Sequence, residues 1–164
     1  MRRDGVRVLS IRHARAADSA MCRAIAAGLP EYFIADDLDE IERAAETGNC
    51  WIADLQERPT AFTIVDRRAV TVAEVAWMAT DEKFRGQGIG TALLAHVLAE
   101  LSGTGVQLLE VKTLDASAGY EPYESTHAFW RRHGFVQIDT IDPLPGWRPG
   151  NPAAIYIAAL APTR

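Results

Sequence analysis

The stretch Arg85-Gly86-Gln87-Gly88-Ile89-Gly90-Thr91 decides how the rest of the chain is read. It follows the longest strand-like run, Val70 to Thr80, and a charged connection, Asp81-Glu82-Lys83-Phe84-Arg85. It opens a segment that puts Ile89, Leu93, Leu94, Val97, Leu98 and Leu101 on one helical face and ends at Ser102-Gly103. A helix start presents N–H groups without intrahelical partners, together with the positive end of the helix dipole. Glycines there remove the Cβ atoms that would keep an anion from those amides, so the arrangement predicts a phosphate cradle made of backbone. A Walker loop would close on Gly-Lys-Ser/Thr, but this chain has Gly90-Thr91-Ala92. A dinucleotide fingerprint would place its third glycine where Thr91 stands, although Glu110 lies at a fitting distance for a ribose contact. A dinucleotide module, and a turn serving only close helix–strand packing, stay open at this point.

Outward from the glycines, the chain alternates turn signals with apolar periods. Val6 to Ile11 reads as a first strand, and Asp18 as the cap of a helix burying Met21, Cys22, Ile25 and Leu29 until Gly28 and Pro30 end it. A second helix is expected from Asp37, with Glu40 three residues on as a capping box; it buries Leu38, Ile41 and Ala45 and stops at Gly48-Asn49. Cys50 to Leu55 and Thr60 to Val65 flank Gln56-Glu57-Arg58-Pro59 as a hairpin, and Arg67-Arg68 turns into the long strand. Gln107 to Leu114 is a strand, Ser125 to His133 a short helix, and Phe135 to Thr140 and Ala154 to Leu160 complete a sheet. This order predicts one mixed α/β domain over 1–164 and excludes a doubly wound parallel sheet.

Composition narrows the function classes. At 164 residues, folding buries roughly 70% of the unfolded surface, enough for a core without staples. The 48% hydrophobic and 24% charged content is that of a globular protein, not of a disordered tail or a disulfide scaffold. No apolar run nears the ~18 residues of a membrane helix, and Met1-Arg2-Arg3-Asp4-Gly5 has no apolar region behind it, so neither a membrane span nor a signal peptide is expected. Cys22 and Cys50 lack metal-ligand spacing, so they read as core residues of a reducing, cytoplasmic compartment, with no metal. The net charge of −5 comes without a basic stripe, which argues against nucleic acid and favours a small or cationic partner.

Arg85-x-x-Gly88-x-Gly90 resembles the Arg/Gln-x-x-Gly-x-Gly/Ala signature of the GCN5-related N-acetyltransferase (GNAT) family. Ala73-Glu74-Val75-Ala76-Trp77-Met78-Ala79 is similar to the strand that carries the catalytic glutamate in its histone-acetyltransferase branch. Ala128-Phe129-Trp130-Arg131-Arg132-His133-Gly134-Phe135 resembles the family's Phe-Tyr-x-x-x-Gly-Phe motif. Val111-Lys112-Thr113-Leu114, Tyr123-x-x-Thr126 and Asn151-Pro152 resemble a bacterial subgroup of unassigned substrate, so the likeness extends from Val70 to Leu160. It implies a mostly antiparallel mixed sheet of six to seven strands flanked by about four helices. It implies acetyl-CoA as cosubstrate, with Arg85, Gly86, Gln87, Gly88, Ile89, Gly90 and Thr91 on the pyrophosphate and Met78, Ala79 and Thr80 along the pantetheine. Trp130 also falls among the implied cofactor residues. The chain departs from the family at Thr80-Asp81-Glu82, where Val-x-Pro is common, and at Trp130, where many members have a tyrosine that protonates the leaving thiolate; indole cannot.

Acetyl transfer to an amine requires that the ammonium lose a proton, that the thioester oxygen be stabilised and that the sulfur leave. Glu74, an acid within an apolar strand, is the candidate general base, though alternation also permits it to face solvent. Tyr123 is the first candidate for the acid, and Tyr120 or His127 could substitute for it, with packing or surface as the alternative role for each. The acidic stretch from Glu31 to Glu46 suits a cationic acceptor or a solvated helix face, and Tyr32, Phe33 and Trp147 suit a pocket wall or ordinary packing. The expected partner is a small-molecule or peptide amine, with no nucleic acid and no membrane; a homodimer is left open. A non-catalytic acyl-CoA sensor is the alternative, because Trp130 replaces the hydroxyl.

Overall fold

A strand register and four helices follow from these patterns in the computed structural model, which describes residues 7–162. The basic N-terminus and Val6, where the sequence reading starts its first strand, lie outside the described residues. The elements are β1 (Leu9–His13), α1 (Ser19–Ala27), α2 (Ala35–Thr47), β2 (Asn49–Leu55), β3 (Arg58–Arg67), β4 (Val72–Thr80), α3 (Ile89–Gly103), β5 (Leu108–Leu114), α4 (Glu124–Arg132), β6 (Val136–Ile141) and β7 (Ala153–Ala159). Seven strands lie in the order β1-β2-β3-β4-β5-β7-β6. β4 and β5 are parallel, whereas β1–β2, β5–β7 and β6–β7 are antiparallel. This is the expected mixed α/β architecture, with α3 as the crossover that a parallel pair requires.

The chain divides into two compact units. One comprises Met1–Ile64 and Trp77–Val97. Its core joins Cys22, Ile25 and Leu29 of α1 to Ile41 and Ala45 of α2, Cys50 and Ile52 of β2, Phe62 and Ile64 of β3, and Ala79 of β4. Helical spacing of three and four on α1 and α2, and alternation on the strands, bring these residues to one side. The two free cysteines are buried side by side, and the neighbouring Cys50 thiol, with burial, pushes the Cys22 thiol up. The other unit comprises Val65–Ala76 and Leu98–Arg164, with Leu109, Val111, Trp130, Phe135, Ala154 and Tyr156 buried.

Three local expectations are corrected. Asp18 precedes α1 but does not cap it; its carboxylate accepts from Arg12 Nη1 and Nη2 at 2.7 and 3.0 Å and from the Arg15 N–H at 2.7 Å. The Arg12 guanidinium holds that carboxyl below the usual range, so an ion pair has outcompeted a cap. Helix α2 starts at Ala35, and Asp37 is its third residue, accepting from the Ile34 N–H at 2.8 Å. The β2–β3 connection is a two-residue turn, Gln56-Glu57, with φ of +52° and +64°, because Arg58 and Pro59 already belong to β3.

Candidate active site

The glycine segment is held from both ends. Upstream, the Asp81 N–H donates to the Thr60 carbonyl at 2.8 Å, and the Asp81 carboxylate accepts from the Lys83 N–H at 3.0 Å, capping a short 3-10 turn, Glu82–Phe84. Downstream, the Ala92 N–H donates to the Gly88 carbonyl at 3.0 Å, starting the ladder of α3. The amides of Gly88, Ile89 and Gly90 therefore precede that ladder at the positive end of a 15-residue helix. Gly86 and Gly88 adopt φ of +74° and +78°, a region that L side chains rarely enter. A Cβ at either would meet no atom beyond the adjacent residues within 4 Å, so their absent side chains leave open, solvent-facing space. Gly90 differs: it is half-buried in the first turn of α3. The open turn and its amides fit a pyrophosphate.

Two side chains frame the turn. Arg85 lies over the Tyr32 ring, 5.1 Å from its centroid, and its Nη1 and Nη2 reach the Tyr32 hydroxyl oxygen at 3.3 and 3.4 Å. Arg7 Nη1 donates to Gln87 Oε1 at 2.8 Å. Arg7 is absent from the sequence reading, and no local pattern marks it, since only the fold brings it to Gln87. Tyr32 neighbours Phe33, whose ring lies 6.2 Å from Trp77. Of the β4 residues expected along the cofactor, Ala79 is buried in the core and has only backbone to offer, while Met78 and Thr80 are half-buried. The β4–β5 register runs from Val72↔Leu108 to Val75↔Val111, and β4 continues to Thr80.

In the other unit, Glu74 is 12% exposed and stands in an ionic cluster. Its Oε2 lies 3.1 Å from Lys112 Nζ and 3.4 Å from Arg68 Nε, and Lys112 also reaches Glu110 Oε1 at 3.0 Å. Burial works against the Lys112 charge, but the hydrogen bonds it donates to Glu110 and Glu74 hold the ammonium above the usual lysine range. Sequence reasoning missed Lys112 and Arg68 as partners of Glu74; the alternation of Glu110 and Lys112 on β5 was the available signal.

The candidate acids lie at the start of α4 and within it. Tyr123 is half-buried, with its ring 5.8 Å from Tyr120, at the start of α4. His127 is buried and bridged: its Nε2 donates to the Leu114 carbonyl at 2.9 Å, which leaves Nδ1 to accept from the Tyr156 hydroxyl at 2.7 Å when the ring is neutral. Trp130 is 5% exposed and packs edge-on against Phe129 and Phe135, with centroids at 5.0 and 4.9 Å. Among the described residues, no group of three His, Cys, Asp or Glu is placed to hold a metal ion. Nor is any helix among them long and apolar enough to cross a membrane.

Residues 46–137, more than half of the chain, match the family model of the acetyltransferase (GNAT) domain. The chain belongs to the GNAT acetyltransferase family. A search of the curated proteins finds no match. Among solved structures, a protein of the GNAT family from Desulfovibrio desulfuricans is 20% identical and superposes with a TM-score of 0.82, over 94% of this chain and 100% of that one. The ribosomal-protein-S18-alanine N-acetyltransferase from Escherichia coli gives 19% identity and a TM-score of 0.74, over 96% and 97%. A GNAT family acetyltransferase from Elizabethkingia anophelis, with acetyl-CoA bound, gives 17% and 0.67, over 93% and 98%. At these identities the likeness is one of fold; membership comes from the family model, and with it this GNAT chain is an acetyltransferase.

Proposed function

We propose that this chain moves an acetyl group from acetyl-CoA to a primary amine of a small molecule or peptide by direct attack, as one cytoplasmic N-acetyltransferase domain. The observation that carries the reading is the solvent-facing Gly86–Gly88 turn at the head of α3, with both glycines at positive φ and open space where a Cβ would stand. Acetyl-CoA supplies an activated acyl thioester. The backbone of Arg85 to Thr91 holds its pyrophosphate, and Met78, Ala79 and Thr80 offer main-chain groups along the pantetheine. Glu74 takes the proton from the attacking amine, directly or through a water. Tyr123 is the group proposed to return a proton to the leaving sulfur. A thiol with a pKa of ~8.5 leaves tolerably without that help, and a positioned acid would add about 10²–10⁴-fold. The net charge of −5 and the exposed Asp36 and Glu40 of α2 favour a cationic acceptor.

A second reading, a sensor that binds acetyl-CoA without turnover, is favoured by the burial of Trp130 between Phe129 and Phe135, where the resemblance would place a tyrosine. Thiol release from acetyl-CoA across polyamines, aminoglycosides, amino acids and peptides separates the two. The expected result is release with at least one amine, lowered about 10²-fold or more in Glu74→Gln at nearly unchanged acetyl-CoA affinity. Binding with no release assigns the sensor, and a fully active Glu74→Gln removes Glu74 from the mechanism.

A further inference from the structure

We infer that Lys112 is a positioning residue for Glu74, holding its carboxylate ionised and in place for the proton transfer proposed above; the inference rests on that reading. Glu74 and Glu110 are register partners in the parallel β4–β5 pair. Two carboxylates so placed repel unless a cation sits between them. Lys112 supplies that cation, reaching Glu74 Oε2 at 3.1 Å and Glu110 Oε1 at 3.0 Å from a side chain only 21% exposed. The described charged groups facing Glu74 are Arg68 from the β3–β4 turn and Glu110 and Lys112 from β5. Arg68, 55% exposed and 3.4 Å away, is the weaker clamp. Two acids and two bases sum to zero, so the charge of Glu74 is compensated without being removed. Both cations meet the same oxygen, Oε2, which also fixes the orientation of the carboxylate.

The test needs no acceptor in its first arm. Glutamate-labelled protein is titrated by carbon-13 NMR, with the Glu74 carboxyl resonance assigned by its loss in Glu74→Gln. In Lys112→Met the resonance is expected to move to higher pH than in the parent, and Lys112→Arg is expected to restore it. If Lys112→Met does not fold, Glu110→Gln serves instead: Lys112 is then committed to Glu74, and the resonance moves to lower pH. A resonance that stays in place in these variants overturns the inference, while a slow Glu74→Gln would still uphold the general base. In the second arm, the acid limb of the thiol-release profile with the best amine moves up by the same amount in Lys112→Met, at unchanged KM for acetyl-CoA. A moved resonance combined with a fully active Glu74→Gln overturns the base and, with it, the catalytic role of Lys112.

Discussion

Gly88 carries a φ of +78°, and a Cβ built there would meet nothing beyond the adjacent residues within 4 Å. Crowding therefore does not require the glycine; the backbone angle and the space outside it do. Gly88→Val is expected to lower stability by about 1–2 kcal/mol, the strain of a left-handed L residue, seen in urea denaturation. It is also expected to weaken coenzyme A binding more than tenfold by calorimetry, because the added carbons occupy the anion's approach to the amides. Unchanged affinity would contradict the cradle. Glu74 marks the limit of reading single residues. Its apolar neighbours Ala73 and Val75 suggest an acid in a dry strand, yet side chains alternate across a strand, and its own side of the sheet carries Lys112 and Glu110. A charge partner 38 residues away along the chain, Lys112, is invisible to local pattern.

Elements are stabilised here by contacts that local propensity disfavours. The β2–β3 turn has both central residues at positive φ, the type I′ geometry that matches strand twist, but fills it with Gln56 and Glu57 where asparagine and glycine are preferred. Glu57→Gly is expected to raise stability by about 0.5 kcal/mol, as relief of strain outweighs the extra freedom of the unfolded chain; a lower urea midpoint would refute this. At the end of β5, Asp115 is hydrogen-bonded by Ser117, and its oxygens accept from Gln137 Nε2 at 2.7 Å and the Thr140 hydroxyl at 3.2 Å, tying the strand to β6. These bonds, Ser117 first, hold its carboxyl at about 2 against an ordinary 3.8. A carboxyl depressed on folding adds stability above its unfolded value and loses it as pH falls through the folded one. Asp115→Asn is expected to be less stable by about 1 kcal/mol at pH 6, after allowance for solvent screening, and to converge on the parent below about pH 2. Denaturation midpoints at both pH values check this.

At the scale of the molecule, a ligand that binds only the folded chain raises its melting temperature by mass action. Acetyl-CoA at ~100 times its dissociation constant is expected to add about 2.7 kcal/mol, or about 5–10 °C for a chain of this size, while NAD leaves the transition in place. Stabilisation by NAD and not by acetyl-CoA would favour the dinucleotide reading that Thr91 argues against. Periodicity, glycine placement and motif order sufficed for the mixed α/β class, for α3 running from Ile89 to Gly103, and for the family, because each is written in neighbouring residues. The tertiary structure alone decided that the Asp18 carboxylate binds Arg12 and the Arg15 N–H and not the first turn of α1, that Arg85 lies on Tyr32, and that Lys112 holds Glu74. Those contacts depend on strand register and on how elements distant in sequence come together, and a side chain's charge partner is chosen by distance in space.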